Sequence, residues 1–405
     1  MLPEGFRELD FDTYHQQELP RLIADGNGLL ALGEARKLGS IAFSIEGGAA
    51  YTYAAGSDGV EIIPGDEKAD VVIELDRDSW QRIVHEIETG PGLLYSGKVR
   101  CLRGKAIRLV SWEPGLRALY NGRPIFDPKA PDELLGLNGE PLDPGQAFAI
   151  KDDPEEMAHF LRTTGYLIVR NVFSAAEVAR FRDAAEALRG AAMKGDRKSW
   201  WGKNAAGEEV LTRVTHARAH AAFQDLYRDP RLTRLIDLAD TKLVPQVPKS
   251  GEGTSIIYKN SDMTEGLGDL PWHRDCGMGG HALKCPLIIL SVFVTPINSE
   301  TGELRMLPGS WRGSCAPISA TDPRAPRGVS VAGNAGDVSL HYGDVMHAGP
   351  PPTKSGLDTY RISAITAYAQ EQSGNFEEGR RRYNDVLLGR EDGQVEHLTE
   401  VAKRR

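Results

Sequence analysis

The segment Trp272-His273-Arg274-Asp275 carries two potential metal ligands separated by one residue. Side chains of a β-strand alternate between its two faces, so a strand here would direct His273 and Asp275 to the same side. A second histidine, His347, follows 72 residues after Asp275, which is enough chain for several strands to bring it back. Two histidines and one carboxylate form the facial triad of non-haem iron(II) oxygenases.

The strand candidate around Arg361 supplies a cation 14 residues after His347. Arg361 and Ser363 would share one face of that strand. A guanidinium binds carboxylates through charge-assisted hydrogen bonds, so we expect this pair to hold the remote carboxylate of a cosubstrate. Tyr258 and Lys259, on the strand before His273, are further candidates for the same cosubstrate, with packing as their alternative role.

Short strand candidates separated by glycine and proline turns fill the second half of the chain. They lie at 255–258, 287–294, 338–341 and 360–368, and such a series is typical of a barrel or jelly roll. Helix start signals precede them: Pro154 follows Asp153, and Ser174 with Glu177 forms a capping box. We therefore predict a mainly β fold with flanking helices.

The order of these motifs resembles that of the phytanoyl-CoA dioxygenase family of iron(II)/2-oxoglutarate oxygenases. After the HxD motif come Leu307-Pro308-Gly309-Ser310, Gly336-Asp337-Val338, His347 and Arg361-x-Ser363. The resemblance runs from about Asp153 to Tyr368. It implies a cupin-like double-stranded β-helix that uses Fe(II), 2-oxoglutarate and O2.

The resemblance also implies roles for individual residues. The iron ligands would be His273, Asp275 and His347, and Arg361 would bind the C5 carboxylate of 2-oxoglutarate. Halogenating members of the superfamily replace the carboxylate ligand by a small residue, so Asp275 favours hydroxylation or desaturation. The chain departs from the family pattern at Trp311, where a histidine is usual, and in the proline run 350–352 before Arg361.

The first part of the chain has the pattern of a small α/β unit. Residues 41–53 alternate around a glycine turn, residues 69–75 are rich in β-branched side chains, and residues 76–87 carry an apolar stripe at helical spacing. Residues 126–145 contain four prolines and three glycines, as linkers do. We predict a first domain at 1–125, a linker at 126–150, and an oxygenase domain with a charged tail at 151–405.

The first domain resembles the sterol carrier protein 2 family over roughly Leu19 to Trp112. The matching residues are Ala69-Asp70-Val71, the following helix, Tyr95-Ser96-Gly97-Lys98-Val99 and Gly104. The resemblance implies an SCP2-like domain with an apolar tunnel for a lipid or acyl ligand. The alternative is a tunnel filled by side chains, in a domain that only docks or dimerises.

Composition excludes several classes of protein. Apolar residues make up 40% and charged residues 26%, as in ordinary globular proteins, and the net charge of −9 argues against nucleic acid as a partner. Four cysteines without a CxxC spacing argue against a disulfide framework or a zinc site. The acidic start lacks a signal-peptide pattern and no apolar run could span a bilayer, so we expect a cytoplasmic protein. The oligomeric state stays open, with a dimer among the options.

Four other features could carry function. His341 precedes His347 by six residues, and we expect it to support the site rather than bind the metal. His281 is expected in a loop, and Cys276 is expected to pack. The segment 194–203, with Trp200-Trp201 among basic residues, would form a lid over a substrate or a solvated loop.

These patterns favour an oxygenase that acts on a small apolar molecule, such as an acyl, isoprenoid or polyketide-like compound. A lipid-binding or transfer protein with a non-catalytic jelly roll is the alternative. A cupin-type metalloenzyme without 2-oxoglutarate is a third hypothesis, and Arg361-x-Ser363 argues against it.

Overall fold

The computed structural model describes residues 2, 5–247, 252–263, 270–275, 287–319, 324–354, 361–370 and 398–405. Cys276, Cys285, His281, Tyr360 and the tail 371–397 lie outside these residues. The helices are α1 Phe11–Thr13, α2 Leu19–Leu22, α3 Gly28–Leu38, α4 Arg77–Val84, α5 Gly90–Ser96, α6 Arg108–Asn121, α7 Pro154–Thr164, α8 Ala175–Ala191, α9 Pro230–Ile236 and α10 Leu398–Lys403.

The strands fall into three sheets. In the first half they are β1 Ile41–Ile45, β2 Ala50–Ala55, β3 Val60–Pro64, β4 Val71–Leu75 and β5 Arg100–Arg103. In the second half they are β6 Phe148–Ala149, β7 Tyr166–Arg170, β8 Ser199–Lys203, β9 Glu209–Val214, β10 Val244–Pro245, β11 Thr254–Lys259, β12 Leu270–His273, β13 Ile288–Phe293, β14 Leu304–Met306, β15 Val329–Val331, β16 Val338–Tyr342, β17 His347–Gly349 and β18 Arg361–Ala369.

The N-terminal unit is built on a five-stranded sheet with the order β3-β2-β1-β4-β5. Strands β1 and β4 pair in parallel, whereas the other neighbours are antiparallel. Large aromatic side chains, among them Trp80, Trp112 and Tyr53, are fully buried in its core. Helix α10, close to the last residue of the chain, also packs in this unit through Val401 and Ala402.

The second half contains a nine-stranded sheet and a four-stranded sheet. The larger has the order β6-β7-β16-β13-β18-β11-β9-β8, with β10 added beside β18, and the smaller has the order β12-β17-β14-β15. This arrangement is mainly β with helices and is consistent with a cupin-like jelly roll. The capping box of Ser174 and Glu177 and the cap of Asp153 on α7 are present as predicted.

The two faces of the larger sheet have different chemistry. Alternate residues such as Ile362, Ala364 and Tyr368 belong to the main apolar core, together with side chains of α7, α8 and α9. The intervening residues, including Arg361 and Ser363, point to the opposite face. Functional groups are therefore expected on that second face.

The segment 194–203 differs from the expected lid or loop. Its second half forms strand β8, paired with β9, and Trp200 is only 3% exposed within the core cluster of the N-terminal unit. The guanidinium of Arg213 lies over the Trp200 ring at 4.7 Å. The adjacent tryptophans therefore serve packing in the structure. No helix in the described part of the chain is long and apolar enough to cross a membrane.

Gly165 ends α7, and the side chains of Val345 and Trp311 pack closely against it. Its φ of +91° is a left-handed conformation, and a Cβ there would lie 2.3 Å from Val345 Cγ2 and 2.5 Å from Trp311 Cδ1. We expect Gly165→Ala to lower the free energy of unfolding by roughly 2–4 kcal/mol, because backbone strain and overpacking add. Urea denaturation followed by circular dichroism measures this change.

Gly190 provides the matched control for that substitution. It lies within α8, and nothing lies within 4 Å of the position of its missing Cβ. Gly190→Ala should raise stability by about 0.5–1 kcal/mol, because alanine loses less backbone entropy in a helix. Equal effects of the two substitutions would contradict the packing argument at Gly165.

Candidate metal centre

Strand pairing brings the metal-ligand candidates together. Strands β12 and β17 are antiparallel partners in which His273 lies directly opposite His347. Asp275 follows two residues beyond His273, and one ligand atom from each of the three residues lies within 4.8 Å of the others. Within the described residues this is the single group of histidine, cysteine and acidic side chains with such geometry.

Backbone hydrogen bonds fix the orientation of both imidazoles. Nδ1 of His273 lies 2.8 Å from the Pro271 carbonyl, and Nδ1 of His347 lies 3.0 Å from the Val345 carbonyl. A carbonyl only accepts, so each Nδ1 donates its proton and leaves Nε2 as the free lone pair. The two Nε2 atoms lie 3.7 and 3.8 Å from carboxylate oxygens of Asp275. Such partners set the tautomer that metal binding needs.

Electrostatics favour the protonation states of metal ligands. Burial and the neighbouring His273 lower the pKa of His347 to about 3, which keeps its imidazole neutral. Burial raises the pKa of the Asp275 carboxyl, but the imidazoles of His347 and His341 outweigh it and hold the pKa well below its usual range. The site therefore presents the neutral imidazole of His347 beside the carboxylate of Asp275.

His341 supports the triad from strand β16. Its Nε2 lies 3.2 Å from Asp275 Oδ2, and its ring lies 4.7 Å from that of His347. Because the Asp275 carboxylate accepts, the His341 Nε2 donates this hydrogen bond. His341 thus orients the carboxylate, in the supporting place expected from the sequence.

Arg361, Ser363, Ser339 and His341 form a polar wall on one face of the nine-stranded sheet, and His341 connects this wall to the triad. The Arg361 Nε, Ser363 Oγ, Ser339 Oγ and His341 Nδ1 atoms are buried and have no hydrogen-bond partner within the described residues. Buried polar atoms are rarely left unpaired, because each costs about 1–3 kcal/mol. The Arg361 Nε and the two serine hydroxyls can each donate a hydrogen bond. Unpaired donors on one sheet face fit a ligand that is rich in carboxylate oxygens.

Arg361 is the cation of this wall. One of its Nη atoms donates to the Gly302 carbonyl, and no carboxylate among the described residues forms an ion pair with it. Burial lowers the pKa of Arg361 to about 10, so the guanidinium stays charged at neutral pH. A buried, charged guanidinium without a counter-charge calls for an anionic ligand.

The side chains of the two further cosubstrate candidates, Tyr258 and Lys259, point to opposite faces of β11. Tyr258 is fully buried in the apolar core, where its hydroxyl donates to the Ala185 carbonyl at 2.6 Å. It therefore faces away from the triad, as in the packing alternative, and we exclude it from the cosubstrate site. Lys259 pairs with Arg361 across the strands, but its ammonium donates to the carbonyls of Gly349 and Pro350.

Sequence reasoning did not single out Ser339. The available signal was the two-residue period of β16, which places Ser339 and His341 on one face. Ser339 also lies opposite Ser291 of β13, so a polar patch crosses two strands at this point.

The chain was compared with known proteins. Residues 161–355 match the family model described as phytanoyl-CoA dioxygenase (PhyH). No curated protein sequence matches the chain. The PhyH match and the His-Asp-His triad are consistent with Fe(II), 2-oxoglutarate and O2 as cofactor and cosubstrates.

Solved structures that match part of the chain include the following three proteins. AviO1 from Streptomyces viridochromogenes Tue57 is 21% identical, with 55% of this chain and 96% of that chain covered and a TM-score of 0.42. SnoN, a non-haem alpha-ketoglutarate-dependent epimerase from nogalamycin biosynthesis, is 20% identical over 53% of this chain and 82% of its own, with a TM-score of 0.42. EctD from S. alaskensis, solved with 2-oxoglutarate and 5-hydroxyectoine, is 20% identical over 62% and 90%, with a TM-score of 0.44.

Proposed function

We propose that the PhyH-family domain at residues 161–355, completed by Arg361 and Ser363, is an Fe(II)/2-oxoglutarate-dependent oxygenase that hydroxylates or desaturates a small apolar molecule. The observation that carries the proposal is the triad, with one ligand atom each from His273, Asp275 and His347 within 4.8 Å. Its donor set suits non-haem iron and leaves coordination positions open.

The chain's own residues have separable roles in this proposal. His273, Asp275 and His347 would hold the metal, and the metal would supply oxygen activation coupled to oxidative decarboxylation of 2-oxoglutarate to succinate. Arg361 and Ser363 would bind the remote carboxylate of that cosubstrate. His341 keeps the Asp275 carboxylate oriented through its hydrogen bond.

The reaction type follows from the carboxylate ligand. Asp275 is retained where halogenating relatives have a small residue, so hydroxylation or desaturation is favoured. The same sheet face also offers a half-buried apolar surface made by Ile257, Ile289, Ile365 and Ala367. These side chains support an apolar substrate, since they remain accessible on the face that carries Arg361.

Turnover with purified protein tests the proposal. Protein loaded anaerobically with Fe(II) and 2-oxoglutarate should release succinate and CO2 in equal amounts when O2 is admitted. Candidate acyl, isoprenoid and polyketide-like compounds are then added, and the true substrate should accelerate succinate release. Protein that binds neither Fe(II) nor 2-oxoglutarate would rule out the function.

For the N-terminal unit we propose an SCP2-like fold. The five-stranded order β3-β2-β1-β4-β5 supports it, as do the helices that pack around its main core. Trp80, Trp112 and Tyr53 fill that core, which favours docking over lipid carriage. Saturable binding of a fluorescent fatty acid, without binding of iron or 2-oxoglutarate, would instead establish the lipid-transfer alternative.

A further inference from the structure

A buried cluster of charges joins the N-terminal unit to the two segments that carry the metal ligands. Its six members are Glu86, Glu113, Arg117, Arg123, Arg274 and Asp344. Five have side chains that are at most 9% exposed, and that of Arg123 is 21% exposed. Three of the six side chains are basic and three are acidic, and burial raises the pKa of the Glu113 carboxyl to about 7.

Arg274 is the member nearest to the triad in sequence, between His273 and Asp275. While the side chains of these neighbours lie together with that of His347, the Arg274 guanidinium donates to Glu113 Oε1 at 2.9 Å and lies 3.4 Å from Asp344 Oδ1. Glu113 belongs to α6 of the N-terminal unit, and its other oxygen accepts from the Gly90 amide at 2.8 Å. The HxD segment is thus tied to a helix that precedes the PhyH domain.

Asp344 ties the second ligand segment to the same helix. It lies three residues before His347, in the turn between β16 and β17, and accepts from Arg117 Nη2 of α6 at 3.1 Å. Arg117 also bonds Glu86 at 3.2 Å. The Glu86 backbone is left-handed, with φ of +55°, a strain that persists only where surrounding contacts fix it.

We propose that Glu113 and Arg117 of the N-terminal unit are positioning residues for the metal centre, which they hold through Arg274 and Asp344. The proposal rests on the metal-binding function proposed above. Ligands must be held within about 0.5 Å of their working geometry, and the partners that hold them affect metal affinity strongly. In this way the N-terminal unit helps to hold the metal ligands in position.

Buried ion pairs alone are weak evidence for stability, but they fix one arrangement of the segments they join. This distinction makes the proposal testable, because positioning and stability respond differently to two variants. Glu113→Gln keeps the acceptor for the Gly90 amide and leaves Arg274 with only the more distant carboxylate of Asp344. Glu113→Gln combined with Arg274→Met removes both side-chain charges of this pair.

The experiment measures Ni(II) affinity by calorimetry and unfolding by urea, on full-length protein. For Glu113→Gln we expect Ni(II) affinity to fall roughly 10–100-fold, the range seen when partners of metal ligands are removed. In the double variant stability should recover toward wild type, while Ni(II) affinity stays reduced. Recovery of affinity in parallel with stability, or wild-type affinity in Glu113→Gln, would overturn the proposal.

Asp337→Asn is the matched control. Asp337 is also a buried acidic residue with an arginine partner, Arg170 at 2.9 Å, but it lies one residue before β16, and its carboxylate accepts from Arg170, Asn171 and Asn334. The Asp337→Asn variant should unfold at a lower urea concentration than the wild type and should keep the wild-type affinity for Ni(II). Wild-type protein that fails to bind Ni(II) would contradict the proposed function itself, which separates that failure from failure of the positioning role.

Discussion

Asp275→Ala is expected to abolish succinate formation and to weaken metal binding more than any other single change to the domain. Asp275 is the one anionic side chain of the proposed ligand set, and it also accepts from His341. Loss of a direct ligand should exceed the roughly 10–100-fold loss of affinity typical of removing a ligand's hydrogen-bond partner. Calorimetric titration with Ni(II) and a succinate assay under O2 measure the two effects.

The control for this variant is Asp183→Ala, since Asp183 is an exposed aspartate of α8 in the same domain. It should leave metal affinity and succinate formation at wild-type values. Asp275→Ala also leaves the His341 donor unpaired, which costs about 1–3 kcal/mol of stability. Turnover should therefore be compared at a temperature where circular dichroism shows both proteins folded. Undiminished succinate formation by Asp275→Ala would refute the iron assignment.

Most of the metal centre could be predicted from the sequence because its signals are local. The HxD spacing forces His273 and Asp275 to one side of an extended segment, and strand alternation places Arg361 with Ser363. The distance between His347 and the other two ligands depends on strand pairing, which spacing alone does not determine. The third ligand was expected to be His347 with His341 in a supporting role, and the structure places both histidines beside Asp275.

Other parts of the structure had no local signal. Arg274 and Glu113 are 161 positions apart, and nothing in either neighbourhood of the sequence indicates that they pair. The Trp200-Trp201 pair was expected in a lid or loop, but Trp200 packs in the core of the N-terminal unit and Trp201 packs against the core of the second half. Tyr258 and Lys259 are adjacent, so alternation dictates that only one of them can face Arg361.

Substitution of Arg361 is expected to separate cosubstrate binding from stability. Arg361→Gln removes the buried cation from the polar wall while keeping a donor near Gly302. Hydrogen bonds to charged groups contribute about 1.5–3 kcal/mol, so the KM for 2-oxoglutarate should rise roughly 10- to 150-fold. The Ni(II) affinity measured without 2-oxoglutarate should stay at the wild-type value, because Arg361 is not a ligand.

Stability of the same variant distinguishes a ligand-binding role from a structural one. The guanidinium is buried without an ion-pair partner in the described part of the chain, and burial alone lowers its pKa. Replacing it with a neutral side chain should therefore leave the stability of the protein without ligand unchanged or raised. Added 2-oxoglutarate with Ni(II) should raise the Tm of the wild type more than that of Arg361→Gln, because ligand binding stabilises the folded state by mass action. Arg170→Gln is the control, since Arg170 is ion-paired with Asp337 and should lose stability without a change in KM. If Arg361→Gln instead unfolds readily and keeps the wild-type KM, the arginine supports the fold and the cosubstrate carboxylate binds elsewhere.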